Sequence, residues 1–178
     1  MSRNRKATKV STVETFVALR LRLNSWRWKG VPFYIRAGKN LPVTATEVYV
    51  KLRQPPRLYG DFIPPSNYFR FRVTPSLVIA VGALVKVPEQ EKRGEAVELV
   101  VTERPGPNQV SAYEALIDDV IDRDPTRFAR QDYVDEAWRI VDPILGDRTP
   151  VHAYGPGTWG PAAADTLIGA DGPWFNPA

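Results

Sequence analysis

The residues best suited to hold a ligand lie in one short run: Trp26-Arg27-Trp28-Lys29-Gly30-Val31-Pro32-Phe33-Tyr34-Ile35-Arg36-Ala37-Gly38-Lys39. Its Arg-x-Gly-Lys ending sets two cations beside a backbone position without a Cβ, which an anion can approach closely. Half of a phosphate or sugar-phosphate site is the chemistry this pattern offers. Lys39 is the candidate ligand-binding residue, with a solvated strand-end lysine as the competing reading. Arg36 is the candidate supporting residue, expected to act through hydrogen bonds within the fold. Catalytic residues are harder to find, because the 178-residue chain has one histidine and no cysteine. That histidine, His152, lies in a Gly/Pro-rich stretch with no aspartate or serine patterned around it, so no general base is assigned. Asp118 and Asp119 are adjacent in a helical pattern and do not face each other, which predicts a solvated face rather than a carboxylate pair. Trp26 and Trp28 are expected to be packing residues.

Composition narrows the classes. Hydrophobic content is 43 % and charged content 25 %, as in ordinary globular domains. No apolar run approaches the ~20 residues of a membrane span, and no membrane association is expected. The absence of cysteine excludes a disulfide framework and a thiolate metal site, so no metal is expected, and the reading is cytoplasmic. Net charge is only +4. Arg3, Arg5, Lys6 and Lys9 place part of that excess in a basic arm over residues 1–10, expected to be disordered. Tyr68-Phe69-Arg70-Phe71-Arg72 interleaves cations with aromatics, but a half-buried strand with one solvated face explains it, and nucleic acid is not an expected partner.

The elements that must position these residues follow from periodicity. Val13, Thr15, Val17, Leu19, Leu21 and Leu23 alternate with other residues, predicting a long strand with one buried face. Residues 33–36 and 47–53 read as further strands, the latter stopped by Gln54-Pro55-Pro56. In the next strand Phe69, Phe71 and Val73 share one face and Arg70 and Arg72 the other. Residues 77–87 are apolar, predicting a strand buried on both faces and bent at Gly82. Val97, Leu99 and Val101 mark a last strand. The period then changes: Tyr113, Leu116, Ile117, Val120 and Ile121 predict an amphipathic helix, with Ser111 and Glu114 as a capping box. A second helix is expected from about Gln131. A third opens at Gly160-Pro161 and is capped by Gly169. The fold class is therefore α+β: a largely antiparallel sheet followed by C-terminal helices packed on one face. Neither alternating βαβ units nor a Gly-x-Gly-x-x-Gly run occurs, so no dinucleotide-binding unit is expected in this chain.

These segments resemble the glucose-6-phosphate dehydrogenase family. Ser11-Thr12-Val13-Glu14-Thr15-Phe16-Val17-Ala18-Leu19, Trp26-Arg27-Trp28 and the run from Gly30 through Arg36 to Lys39 are similar to the C-terminal half of that enzyme. So are Tyr113-Glu114-Ala115-Leu116-Ile117-Asp118-Asp119-Val120, Glu136-Ala137-Trp138-Arg139-Ile140, and Tyr154 with Gly157-Thr158-Trp159-Gly160-Pro161. The resemblance runs in order over residues 11–175. It implies that residues 11–178 form the later part of the substrate-binding and oligomerisation domain. In the complete enzyme, hydride passes from C1 of glucose 6-phosphate to NADP, and a histidine in an upstream Arg-Ile-Asp-His-Tyr-Leu-Gly-Lys motif acts as base. This sequence holds no such motif.

What the resemblance implies is carried over residue by residue. Lys39 stands where the family's lysine contacts the sugar phosphate. Many members have a second cation where this sequence has Thr44, so a doubly cationic clamp is not carried over. Arg36 and Arg72 match two positions of a structural NADP site in some members. The neighbouring positions Ala45, Tyr49, Thr74, Ala80 and Gly82 do not match, so no cofactor-binding residues are expected on this chain and NADP belongs to the complete enzyme. The resemblance implies glucose 6-phosphate as ligand, bound weakly or not at all by the isolated chain. It further implies a homo-oligomer, or pairing with a separate NADP-binding polypeptide. The expected function is that of a C-terminal domain of glucose-6-phosphate dehydrogenase, inactive alone. The alternatives are a non-catalytic sugar-phosphate-binding or assembly module, and a truncated gene product.

Overall fold

A computed structural model describes residues 13–56, 63–86, 94–103, 111–146 and 148–178. The basic arm expected at 1–10 lies outside the described residues. The chain divides into two compact units, one of Met1–Glu103 with His152–Ala178 and the other of Arg104–Val151.

The first unit holds two antiparallel sheets. Strands β1 (Phe16–Arg22) and β2 (Pro32–Gly38) form a hairpin in which Phe16 pairs with Gly38 and Arg22 with Pro32. The turn between them is closed by bonds from the Trp28 amide to Ser25 and from the Val31 amide to Trp28. Strands β3 (Thr46–Lys51), β4 (Tyr68–Thr74), β5 (Val78–Lys86) and β6 (Gly94–Thr102) form a meander in that order. The predicted α+β class and antiparallel pairing hold, but the sheet is split in two. Between β2 and β3 the backbone turns left-handed at Asn40, φ 52°.

Register explains the faces of the meander. Val48, Phe71, Ile79 and Val101 lie in one cross-strand row, and Val50, Phe69, Val81 and Leu99 in the next. Glu47, Tyr49, Arg70, Arg72, Ala80, Gly82 and Glu98 occupy the opposite face, as period two requires. The polar face, expected to be solvated, is the covered one: the Arg70 and Arg72 side chains are only 15 % and 16 % exposed, and Ala80 is 0 % exposed. The apolar face lies open, with Leu99 70 % exposed. Strand β5 is accordingly buried on one face and not on both, and Gly82 does not bend it, since its pairing runs unbroken on either side.

The small residues of β5 serve a different purpose. A Cβ on Gly82 would sit 2.1 Å from the Tyr68 ring. The glycine lets Tyr68 lie across β5 and donate to Glu98 Oε1 on β6 at 2.8 Å. Arg70 spans the same strand above Ala80 and grips both Glu98 oxygens, at 3.1 and 2.8 Å. These hydrogen bonds hold the Glu98 carboxyl below its ordinary range, and Glu98 in turn raises Arg70 and Tyr68. On the other side Glu47 accepts from Arg72 Nε at 2.6 Å and faces Arg70 at 3.5 Å.

Helix α3 (Ala163–Ile168) packs on β1, burying Ala164 and Ile168. Gly169 is its C-cap residue, as expected, but in right-handed rather than left-handed conformation. The chain continues through a 3-10 turn at Gly169–Asp171, and the positive φ falls at Gly172. In the second unit, α1 (Ala112–Asp122) starts on the predicted Ser111 cap, whose oxygen accepts from the Glu114 amide at 3.2 Å, and ends on left-handed Arg123. Helix α2 (Gln131–Val141) begins at the expected residue. Asp119 is buried against Arg127 at 2.7 Å, while Asp118 is exposed, so the two carboxylates face apart as the helical spacing requires, but only one is solvated.

Gly82→Ala tests the Tyr68 crossing. A strand glycine replaced by alanine ordinarily gains up to about 1 kcal/mol where a Cβ has room. Here the clash outweighs that gain, and urea unfolding is expected to show a loss of about 1–3 kcal/mol. Tyr68→Ala should recover part of it in the double variant.

Candidate functional site

The Arg36–Lys39 run occupies the end of β2, and two segments far along the chain fix it there. At the tip, the Lys39 amide donates to Thr15 O at 2.8 Å, extending the β1–β2 ladder one step beyond the Phe16–Gly38 pair. Gly38 is needed for room: a Cβ there would stand 2.7 Å from the Phe16 ring. The same ring lies under Gly160, where a Cβ would approach to 2.3 Å. The left-handed position is not Gly38 but Asn40.

Tyr154 closes over this turn. Its ring tilts onto Phe16 at 5.3 Å, and its hydroxyl lies 2.9 Å from Lys39 O, 3.0 Å from Thr15 O and 3.2 Å from Thr15 Oγ1. One segment further on, the Gly157 amide donates to Asn40 O at 2.8 Å. The backbone on both sides of Lys39 is thus bonded, while its side chain is exposed and makes no ion pair among the described residues. A fixed main chain with a free ammonium is the arrangement an anion-positioning lysine needs.

Arg36 is committed elsewhere. Its guanidinium sits between the rings of Trp159 and Trp174, 4.7 and 4.9 Å from their centroids. It donates to Asn176 Oδ1 at 2.6 Å, Phe175 O at 3.3 Å and Trp159 O at 3.5 Å. Burial pushes it below the usual arginine range, with Asp165 acting in the opposite direction. The C-terminal segment that receives Arg36 also reaches the meander: Phe175 stacks on Tyr49 at 4.3 Å, and Ala178 O accepts from Arg72 at 2.8 Å. Trp174 Nε1 donates to Ala164 O at 2.9 Å, and Asp171 accepts from Tyr34.

Other predicted residues are not drawn into this arrangement. His152 is exposed in its loop. Trp28 packs edge-on against Phe33 at 5.4 Å, but Trp26 is 98 % exposed and so is not a packing residue within the described chain. A shallow cleft of about 300 Å³ lies apart from Lys39, lined by Arg20, Arg22, Trp28 and Asp171. Its positive charge is offset by Asp171, 3.9 Å from Arg20. Tyr154 and Asn176 were not singled out by the sequence reading as parts of the site. Tyr154 lies in a Gly/Pro-rich stretch with no periodicity, and the bond it makes spans more than a hundred residues, so no local pattern marks it.

Comparison with known proteins gives a consistent result. A family model described as "Glucose-6-phosphate dehydrogenase, C-terminal domain" matches residues 2–176. Glucose-6-phosphate 1-dehydrogenase of Aggregatibacter actinomycetemcomitans is 37 % identical over 174 residues, covering 94 % of this chain and 35 % of that protein. That of Dickeya dadantii is 36 % identical, covering 96 % of this chain and 37 % of its own length. The crystal structure of the Mycobacterium avium enzyme superposes with a TM-score of 0.83 at 34 % identity, over 94 % of this chain and 36 % of that one. A structure described as glucose-6-phosphate dehydrogenase in complex with its substrate glucose-6-phosphate gives 0.73 at 28 % identity, over 92 % and 35 %. The chain therefore spans little more than a third of the length of these relatives.

Arg36→Met keeps the stem and removes three hydrogen bonds and two cation–π contacts. It is expected to cost about 2–4 kcal/mol in urea unfolding, with a change in tryptophan emission as Trp159 and Trp174 lose the cation. Unchanged stability would show that the C-terminal segment is held without it.

Proposed function

Since this chain belongs to the glucose-6-phosphate dehydrogenase family through its C-terminal domain, we propose that it supplies the sugar-phosphate-positioning and assembly functions of an NADP-dependent glucose-6-phosphate dehydrogenase. The observation that carries this reading is Lys39: an exposed cation without an ion-pair partner among the described residues, on a main chain bonded on both sides. Its role is electrostatic, holding the phosphate of glucose 6-phosphate while chemistry proceeds at C1. Arg36 supports the fold around it and does not touch substrate.

NADP is the hydride acceptor of the complete enzyme, and on this chain the residues do not fit it. Arg36 and Arg72, the two positions that match a nucleotide site in the family, are already bonded to Asn176 and to Glu47, and the Tyr49 ring is covered by Phe175. No base is assigned on this chain: its one histidine, His152, is exposed and has no carboxylate partner among the described residues. The chain alone is therefore read as a binder and not a catalyst. The open rows of Val48, Phe71, Ile79 and Val101 and of Val50, Val81 and Leu99 form an exposed apolar surface larger than scattered single residues would give. A second copy of the chain is the proposed cover.

Two measurements decide these points. Glucose 6-phosphate titrated into the purified chain and followed by phosphorus NMR is expected to bind weakly, and Lys39→Ala to weaken it by about tenfold or more. Equal affinity in the variant would remove Lys39 from the site, and NADP reduction by the chain alone would overturn its reading as inert. In sedimentation the chain is expected to self-associate, and Leu99→Lys to shift it toward monomer. A monomeric parent chain would contradict the proposed cover.

A further inference from the structure

The geometry points to Tyr154 as a positioning residue that fixes the Lys39 turn for anion binding. The inference rests on the Lys39 reading above and adds a residue to it. Lys39 sits at the last rung of the β1–β2 ladder, where a strand end ordinarily frays. Two carbonyls bracket that rung, Thr15 O and Lys39 O. The Tyr154 hydroxyl lies within hydrogen-bond distance of both, at 3.0 and 2.9 Å. One proton cannot fully serve two acceptors, so the bond is shared, and the hydroxyl ties the two strands together at the point where the ladder stops. The Thr15 hydroxyl, 3.2 Å away, is placed to donate back to it. The ring is itself located by Phe16, which Gly38 and Gly160 admit by having no Cβ. Beyond the turn, the Gly157 amide holds Asn40 O at 2.8 Å, so the left-handed residue after Lys39 is fixed by the same segment. Lys39 thus enters binding with its Cα position already set, and only side-chain rotamers remain to be ordered.

Tyr154→Phe removes the oxygen and leaves the ring on Phe16, so the fold should persist. The experiment has two readouts on the full chain: amide hydrogen exchange at Lys39, and glucose 6-phosphate affinity in a double-mutant cycle with Lys39→Ala. Exchange at the Lys39 amide is expected to speed up by about three- to tenfold, with amides in α1 and α2 unchanged. Affinity is expected to fall by a similar factor, and the loss should vanish when Lys39 is already alanine. Unchanged exchange at Lys39 would overturn the inference. So would an equal loss of affinity in the Lys39→Ala background, which would mean that Tyr154 acts by another route. If the parent chain does not bind glucose 6-phosphate, or Lys39→Ala binds as well as the parent, the Lys39 reading fails and this role falls with it. If Lys39→Ala weakens binding and Tyr154→Phe does not, this inference alone fails.

Discussion

The Arg36 guanidinium, held between two indoles and bonded to the C-terminal segment, is the interaction on which the arrangement of the first unit depends. The β1–β2 hairpin and the four-stranded meander share no strand pairing. What spans them is the C-terminal segment. It takes Tyr34 and Arg36 from the hairpin and Lys51, Tyr49 and Arg72 from the meander. A cation suits this work because it bonds in its plane and stacks on its faces at the same time. Arginine offers five donors in that plane, and Arg36 directs bonds to two carbonyls and one amide oxygen while lying over the Trp159 and Trp174 rings. An apolar side chain could fill the space but could not collect three oxygens.

The same economy appears in the meander. Four strands would ordinarily present one apolar and one solvated face. Here the polar face is shielded by its own long side chains: Tyr68 and Arg70 cross β5 to reach Glu98, and Phe175 covers Tyr49. Burying charge is costly unless every partner is present. Glu47, 1 % exposed, has Arg72 hydrogen-bonded to Oε2 at 2.6 Å and Arg70 facing Oε1 at 3.5 Å, so two cations offset its charge although Oε1 has no hydrogen bond. The apolar face is the exposed one, and the buried apolar side chains among the described residues are few: Val78, Ala80, Ala164 and Ile168.

Much of this was legible in the amino acids. Period-two alternation located β1, β3, β4 and β6, because alternation is a local property that survives whatever packs on it, while β5 was marked by a continuous apolar run. The 3.6-residue period and the Ser111–Glu114 pair found α1 for the same reason. What local pattern does not carry is which side of a strand ends up covered. Phe69 and Phe71 look like core and Arg70 and Arg72 like surface. The assignment reverses because a segment more than a hundred residues later bonds to the arginine side. Gly82 read as a bend for a similar reason, since nothing near it in sequence shows that Tyr68 needs the space. In the candidate site, Lys39 and Arg36 were visible from residue type and spacing, whereas Tyr154 was not, its partners being fixed only by tertiary structure. Trp26 shows the limit in the other direction: an indole suggests packing, yet nothing described in this chain meets it.

The separation between the C-terminal segment and its receptors has a kinetic consequence. Its bonds join residues 106 to 140 positions apart, while the hairpin and meander pair neighbours. Loop closure over such distances is entropically expensive until the strands already hold their ends together. In order along the chain, the hairpin and the meander are therefore complete before residues 174–178, which lock them together.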